Sequence, residues 1–142
     1  KLKKQIIKDY KIECDVYDSI SNACLNADVI TTLTPSKQGF LGQSHIKHPV
    51  HINAIGADVE GKRELERSIW MKCGLIVDDY EQASHSGEAQ YVKDLPYLTL
   101  GDIITGKSTS DQNRSTVFDS TGLAIEDIAI GKFIYEQYCQ RN

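Results

Sequence analysis

The chain has 142 residues, 40% hydrophobic and 25% charged, with a formal net charge of −4. That balance suits one soluble folded domain with a real core and offers no basic footprint for nucleic acid. No apolar run approaches the ~18–20 residues that span a membrane, and no signal peptide is visible. The four cysteines, Cys14, Cys24, Cys73 and Cys139, form no C-x-x-C pair. They read as reduced core or near-core residues of a cytoplasmic protein, and neither a disulfide framework nor a zinc site is expected.

The first residues, Lys1-Leu2-Lys3-Lys4, lack a methionine and read as the middle of a helix, as expected of a fragment. Residues 1–10 carry Leu2, Ile6 and Ile7 on one face and lysines around the rest, the pattern of an amphipathic helix. Residues 12–17 alternate apolar and polar side chains and predict a short strand. Asp18 and Ser19 offer N-cap oxygens for a helix to about residue 25, with Ala23, Cys24 and Ala27 inward. Residues 29–33 are β-branched and continuous, which predicts a strand buried on both faces. Pro35 ends it, and residues 36–43 read as loop.

An apolar run over 52–55 then delivers the chain to Gly56, with Asp58, Gly61 and Lys62 just beyond. Residues 51–56 predict a strand and residues 63–68 a short helix. Residues 74–77 predict another buried strand, closed by Asp78-Asp79. A helix is expected over 81–89, weakened by Gly87, and another over 98–105 with Gly106 as its C-cap. Residues 108–114 form a polar turn, 116–118 a strand, and 124–140 a long helix carrying Ile125, Ile128, Ala129, Phe133, Ile134 and Tyr138 at helical spacing. Strands alternating with helices indicate βαβ units: an α/β fold with a parallel sheet and helices on both faces, three layers in all.

In such a sheet, ligands bind outside the carboxyl ends of the strands. Asp58, just past a strand end, therefore has two readings. It is a helix cap paired to Lys62 at i,i+4, a contact contributing only about 0.2–0.5 kcal/mol, or it is a site carboxylate. Taken alone, the first is favoured. Thr32, Thr34 and Ser36 read as turn chemistry or as the lip of a crevice. Asp119-Ser120-Thr121-Gly122 caps the last helix and permits close approach of a ligand at Gly122. GDIITGKS at 101–108 matches G-x-x-x-x-G-K-[ST], but a phosphate-binding loop needs a strand before it and a helix after it. Residues 97–100 are a weak strand at best and 109–113 open a helix poorly, so the stretch reads as a helix ending at Gly106. His45, His48 and His51 lie three apart, but Pro49 falls inside the set and His51 opens a strand, so no metal site is expected.

Four stretches occurring in order, ADVITTLTPS (27–36), HINAIGADVEGKREL (51–65), LIVDDYEQA (75–83) and TVFDSTGLAIEDIAIGKFIYE (116–136), resemble the ornithine cyclodeaminase/μ-crystallin family. That family also holds alanine dehydrogenases and cyclic ketimine reductases. The resemblance covers the whole chain but only the C-terminal portion of a family member. It implies a Rossmann-type NAD(P)-binding domain whose first strands and glycine-rich loop are absent: residues 1–122 form its C-terminal part, and residues 123–142 a helix packing toward a missing substrate and dimerisation domain. No G-x-G-x-x-G occurs here, in keeping with that placement.

The resemblance further implies roles. Asp58 matches the aspartate beside the reacting carbon, the acid/base and amine-orienting group, and Lys62 the lysine of the same stretch. Thr34, Pro35 and Ser36 match the loop passing the cofactor, Gly56 belongs to the cofactor-side strand end, and Ser120, Thr121 and Gly122 match the turn beside the nicotinamide. Gly87-Glu88 resembles a recurrent pair without an assigned role. The implied cofactor is NAD, with NADP possible, and the substrate a small amino acid. The implied reaction removes hydride from Cα of L-ornithine, closes the ring on the imine with loss of ammonia, and returns hydride to give L-proline. Alanine dehydrogenase, ketimine reductase and a μ-crystallin-like NADPH-binding protein are the alternatives. The intact protein is expected to be a cytoplasmic homodimer with no nucleic-acid or membrane partner, and this chain alone to be inactive.

Overall fold

In chain order, the computed structural model runs α1 (Leu2–Tyr10), α2 (Ile20–Cys24), β1 (Val29–Thr32), β2 (Lys37–Leu41), β3 (His51–Ala54), β4 (Arg63–Leu65), β5 (Cys73–Val77), α3 (Tyr80–Ser86), β6 (Tyr97–Thr99), α4 (Leu100–Ile104), β7 (Ser115–Asp119) and α5 (Ala124–Arg141), with 3-10 turns at Gln43–His45, Arg67–Met71 and Glu88–Tyr91. Residues 1–111 and 113–141 are described. Five strands form one parallel sheet in the order β1-β3-β7-β5-β6, and β2 and β4 pair in parallel as a second, two-stranded sheet.

The apolar residues of β3, β5 and β7 place these strands at the centre. Ile52, Ala54, Val77 and Val117 are fully buried, joined in the core by Leu65 and Ile69. Fully burying side chains of the Val or Ile size contributes about 1.5–3 kcal/mol each. Register partners then set the site. Thr32 pairs with Ala54, Ala54 with Asp119, Asp119 with Val77, and Val77 with Thr99. All five carboxyl ends therefore lie in one row.

Local signals govern several element ends. Ser19 caps α2, accepting from the Asn22 N–H at 3.2 Å, and Asp79 caps α3, accepting from the Gln82 N–H at 2.8 Å. Gly106 has φ +71°, the left-handed geometry expected beyond a helix end.

The structure departs from the sequence reading in several places, the helix expected over 98–105 among them: its first residues belong to β6, which pairs with β5, and α4 spans only Leu100–Ile104. Residues 12–17 form no strand: the alternation is there, but the segment finds no ladder partner among the described residues, and Ile12, Val16 and Tyr17 are exposed. Strand β1 is a sheet edge with Val29 exposed, as is Leu33 after it, not a strand buried on both faces. The expected loop 36–43 contains β2. Gly39 lets β2 approach β4, since a Cβ there would lie 2.5 Å from the Leu65 carbonyl oxygen. The expected helix 63–68 is instead β4 followed by a 3-10 turn, because Glu64 and Leu65 both point into the protein, where their N–H groups find an acceptor outside any helix. Finally, the helix expected over 81–89 stops at Ser86, and Gly87 turns extended before the next 3-10 turn.

Candidate active site

Residues following the aligned strand ends gather along one edge: Thr34, Pro35 and Ser36 after β1, Gly56 and Asp58 after β3, Asp78 after β5, and Ser120, Thr121 and Gly122 after β7. Thus the sheet brings the sequence-derived residues to one rim, although they come from three separate stretches of chain.

Asp58 stands on an exposed turn, not at a helix start. The Lys62 Nζ donates to its Oδ1 at 2.5 Å, and the Asp58 side chain remains half exposed, against a quarter for Lys62. The hydrogen bond and charge of Lys62 hold the Asp58 carboxyl below its usual pKa. Gly61, at φ +80°, supplies the left-handed residue that folds Lys62 back over the aspartate. The result is an ionised carboxylate facing solvent at a strand end, equipped to accept a proton.

The Ser120-Thr121-Gly122 turn is held from below by Asp78. Its Oδ2 accepts from the Thr121 N–H at 2.8 Å, the Gly122 N–H at 3.2 Å and the Ser120 hydroxyl at 3.2 Å. From α3, the Gln82 side-chain amide donates to the Thr121 hydroxyl at 2.8 Å and the Gly122 carbonyl at 2.9 Å. Gly122 has φ +76°, and a Cβ built there would meet no atom within 4 Å, so its backbone lies open to an approaching group. At the end of β1, the buried Thr32 hydroxyl has no hydrogen-bond partner among the described residues.

Beneath the rim runs a chain of three fully buried carboxylates. Asp119 accepts from the N–H of Glu88 (3.0 Å) and of Ala89 (2.7 Å). Glu88 Oε1 accepts from the N–H of Glu64 (2.5 Å) and of Leu65 (3.1 Å). Glu64 accepts from the N–H of Thr34 (2.5 Å) and of Gly56 (3.0 Å). Desolvation pushes both Glu88 and Asp119 up to about 7, against the hydrogen bonds they accept; Asp119 adds to the rise at Glu88, and Asp78 to that at Asp119. Two glycines make room for these carboxylates. A Cβ at Gly87 would sit 2.5 Å from Asp119 Oδ2, and one at Gly56 would sit 2.5 Å from both the Glu64 carboxyl and the Thr34 carbonyl oxygen. The smallness of Gly56 is thus already required by the protein's own packing.

Sequence reasoning did not find Glu64, Asp78 or Gln82 as structural members of this site, and it held Asp119 only as part of the turn before the last helix and Glu88 only as half of a Gly-Glu pair. Acids buried in short strands and turns look like solvated charge in a one-dimensional pattern. The usable signals were Gly87-Glu88, a glycine placed directly before an acid, and Asp119, an acid closing a strand directly before the Ser120-Thr121-Gly122 turn.

The other candidates take ordinary structural roles. Residues 101–108 begin inside α4, with β6 directly before it, so the first half of the glycine-rich match is helix and the second half its C-terminal turn, not a loop between strand and helix; Lys107 lies 3.8 Å from Asp102. His45 accepts from the Gly42 N–H, His48 contacts the Pro49 carbonyl, and His51 bridges Thr116 and Asn53. Among the described residues no group of histidine, cysteine and acidic side chains could hold a metal ion. Cys24 and Cys73 are buried as expected, with burial pushing the Cys73 thiol up to about 11, whereas Cys139 is exposed on α5. No helix among the described residues is long and apolar enough to cross a membrane.

Comparison with known proteins gives a consistent result. A profile of the Ornithine cyclodeaminase/mu-crystallin family matches residues 1–142. An alanine dehydrogenase of Archaeoglobus fulgidus is 40% identical over 125 residues, 81% of this chain and 38% of the relative. An ornithine cyclodeaminase of Agrobacterium tumefaciens is 34% identical over 128 residues, 87% of this chain and 35% of the relative. Among solved structures, an archaeal alanine dehydrogenase dimer with bound NAD superposes with a TM-score of 0.85 at 36% identity, covering 97% of this chain and 45% of that one. The chain therefore spans well under half the length of the relatives it matches.

Proposed function

Because this chain belongs to the ornithine cyclodeaminase/mu-crystallin family, we propose that it forms the nicotinamide side of an NAD-dependent enzyme working at the amine-bearing carbon of a small amino acid, with conversion of L-ornithine to L-proline and ammonia as the leading reaction. The observation that carries the reading is the gathering of Asp58, the Thr34 loop and the Ser120–Gly122 turn on one carboxyl edge, the first paired to Lys62 in its own turn and the other two fixed by Glu64 and Asp78 from distant stretches of chain.

The residues present fit the cofactor. The side-chain-free face of Gly122, with open space where a Cβ would stand, would let a flat ring lie close against the turn. Thr34, Pro35 and Ser36 would pass it on one side, and Ser120, Thr121 and Gly122 on the other. When bound, NAD would supply hydride removal from Cα and its return. Asp58, kept ionised by Lys62, would orient the substrate amine, take its proton as the imine forms, and give a proton back as ammonia leaves. Lys62 acts through Asp58 and needs no contact with substrate. Residues outside this chain would hold the substrate carboxylate and the cofactor pyrophosphate, and the intact protein would be a homodimer.

The 40% identity to an alanine dehydrogenase favours a second reading, in which oxidative deamination of alanine uses the same rim. Assay of the intact protein with ornithine, alanine and a cyclic ketimine, each with NAD(H) and NADP(H), separates the readings. Proline formation with NAD is the expected result. Turnover of alanine alone would move the assignment to the dehydrogenase, and tight NADPH binding without turnover would move it to a binding protein. The isolated chain should form no proline.

A further inference from the structure

We infer that Glu64 is the positioning residue of this rim, fixing through its buried carboxylate the distance between the Thr34 loop and the Gly56–Asp58 turn. The inference rests on the functional reading above and deepens it by naming a residue that touches neither substrate nor cofactor.

The two oxygens of Glu64 serve two different strand ends. Oε1 accepts from the Thr34 N–H after β1, and Oε2 from the Gly56 N–H after β3. Both donors lie beyond the last ladder pair of their strands, Thr32 with Ala54, so the ladder itself holds neither. A carboxylate is the side chain that offers an acceptor at both ends with no donor to turn away. Gly56 confirms the closeness of the fit, since any Cβ there would displace the Glu64 carboxyl.

Glu64 is in turn held from behind. Its own N–H donates to Glu88, whose neighbouring N–H donates to Asp119 at the end of β7. Three strand ends, β1, β3 and β7, are thereby tied by one line of side chain-to-backbone bonds. These are the ends that carry Thr34, Asp58 and Ser120. A shift at Glu64 would move Asp58 relative to the Thr34 loop without altering the chemistry of either. Misplacement of that kind lowers rate through lost alignment.

The test is Glu64→Gln in the intact protein, which keeps the size of the side chain but sets an N–H against an N–H at one strand end. Hydrogen exchange at the Thr34 and Gly56 amides should be slow in the wild-type protein, and in the variant the amide that faces the new side-chain N–H should exchange at least about tenfold faster, the size expected when a buried donor loses its acceptor. At a temperature where both proteins are folded, KM for NAD should rise and kcat should fall, each several-fold. Ile69→Val serves as control, because it loosens the core away from the rim. It should lower Tm with kcat and KM unchanged. Where Glu64→Gln does not fold, the wild-type amides still decide, since rapid exchange at Thr34 and Gly56 would overturn the inference. Faster exchange with unchanged kcat and KM would overturn it too, reducing Glu64 to a structural staple. Slow amides in a wild-type protein that turns over no substrate would refute the functional reading while leaving the clamp in place.

Discussion

Two sets of carboxylates lie within the same few strand ends and have opposite environments. Asp58 is half exposed, paired with Lys62, and held below its usual pKa. Glu64, Glu88 and Asp119 have no exposed surface, and each accepts backbone N–H groups; burial pushes Glu88 and Asp119 up to about 7. On the function proposed above, the difference separates chemistry from scaffolding. On that reading the carboxylate that exchanges protons with a substrate is the wet, charged one, while the three that hold the backbone are dry, with burial pushing Glu88 and Asp119 toward the neutral form.

The contrast can be broken first at its dry end. Asp119→Ala would leave the Glu88 and Ala89 N–H groups buried without an acceptor, and at about 1–3 kcal/mol for each orphaned donor the loss should be roughly 2–6 kcal/mol. Chemical denaturation of the intact protein measures it, and a loss under about 1 kcal/mol would refute the bracing role. Gly87→Ala should cost less, about 1–3 kcal/mol for overpacking against Asp119. A Tm equal to that of the wild type would show that the 3-10 turn moves aside freely.

The pH dependence sharpens the comparison because the two sets have opposite signs. Glu88 and Asp119 keep their protons in the folded state well above their ordinary values of 4.5 and 3.8. Their contribution to stability is present in full below those ordinary values and is lost as pH rises through about 7. Asp58, with a lowered pKa, contributes above its ordinary 3.8 and loses that contribution as pH falls. Unfolding free energy measured from pH 4 to 8 should therefore decline toward 7, and Glu88→Gln should flatten part of that slope. An unchanged slope in Glu88→Gln would contradict the assignment. At the wet end, Lys62→Met should change stability by only about 0–1 kcal/mol. Its effect belongs in the pH–rate profile, where the acid limb should move upward as Asp58 loses its partner.

The same division explains how much could be read from the sequence. The parallel sheet was legible because β5 is an apolar run closed by acids, and β3 and β7 each carry apolar residues at their centre and end in a small or acidic residue. Asp58 and the Ser120–Gly122 turn were legible because they follow those runs directly, and the resemblance placed them in one family. The hidden parts are β2, β4 and the buried acids. Lys37–Leu41 and Arg63–Leu65 are short and mixed, and they form strands only because each supplies the other's ladder. Glu64 and Glu88 look like surface charge until the fold supplies the N–H groups they accept. Helix α5 shows the converse. Its periodic apolar residues correctly announced a helix, yet Ile125, Ile128, Phe133 and Ile134 are exposed here, because periodicity specifies a face and not what covers it.

The most direct test of this division is kcat of Asp58→Asn in the intact protein, taken with its Tm. Turnover should fall by about 100-fold or more, as expected on removing a general acid–base group, with Tm within about a degree or two of wild type because an exposed pair contributes little. Near-normal turnover, or a loss of turnover explained by a collapse in Tm, would contradict the assignment of chemistry to the exposed carboxylate.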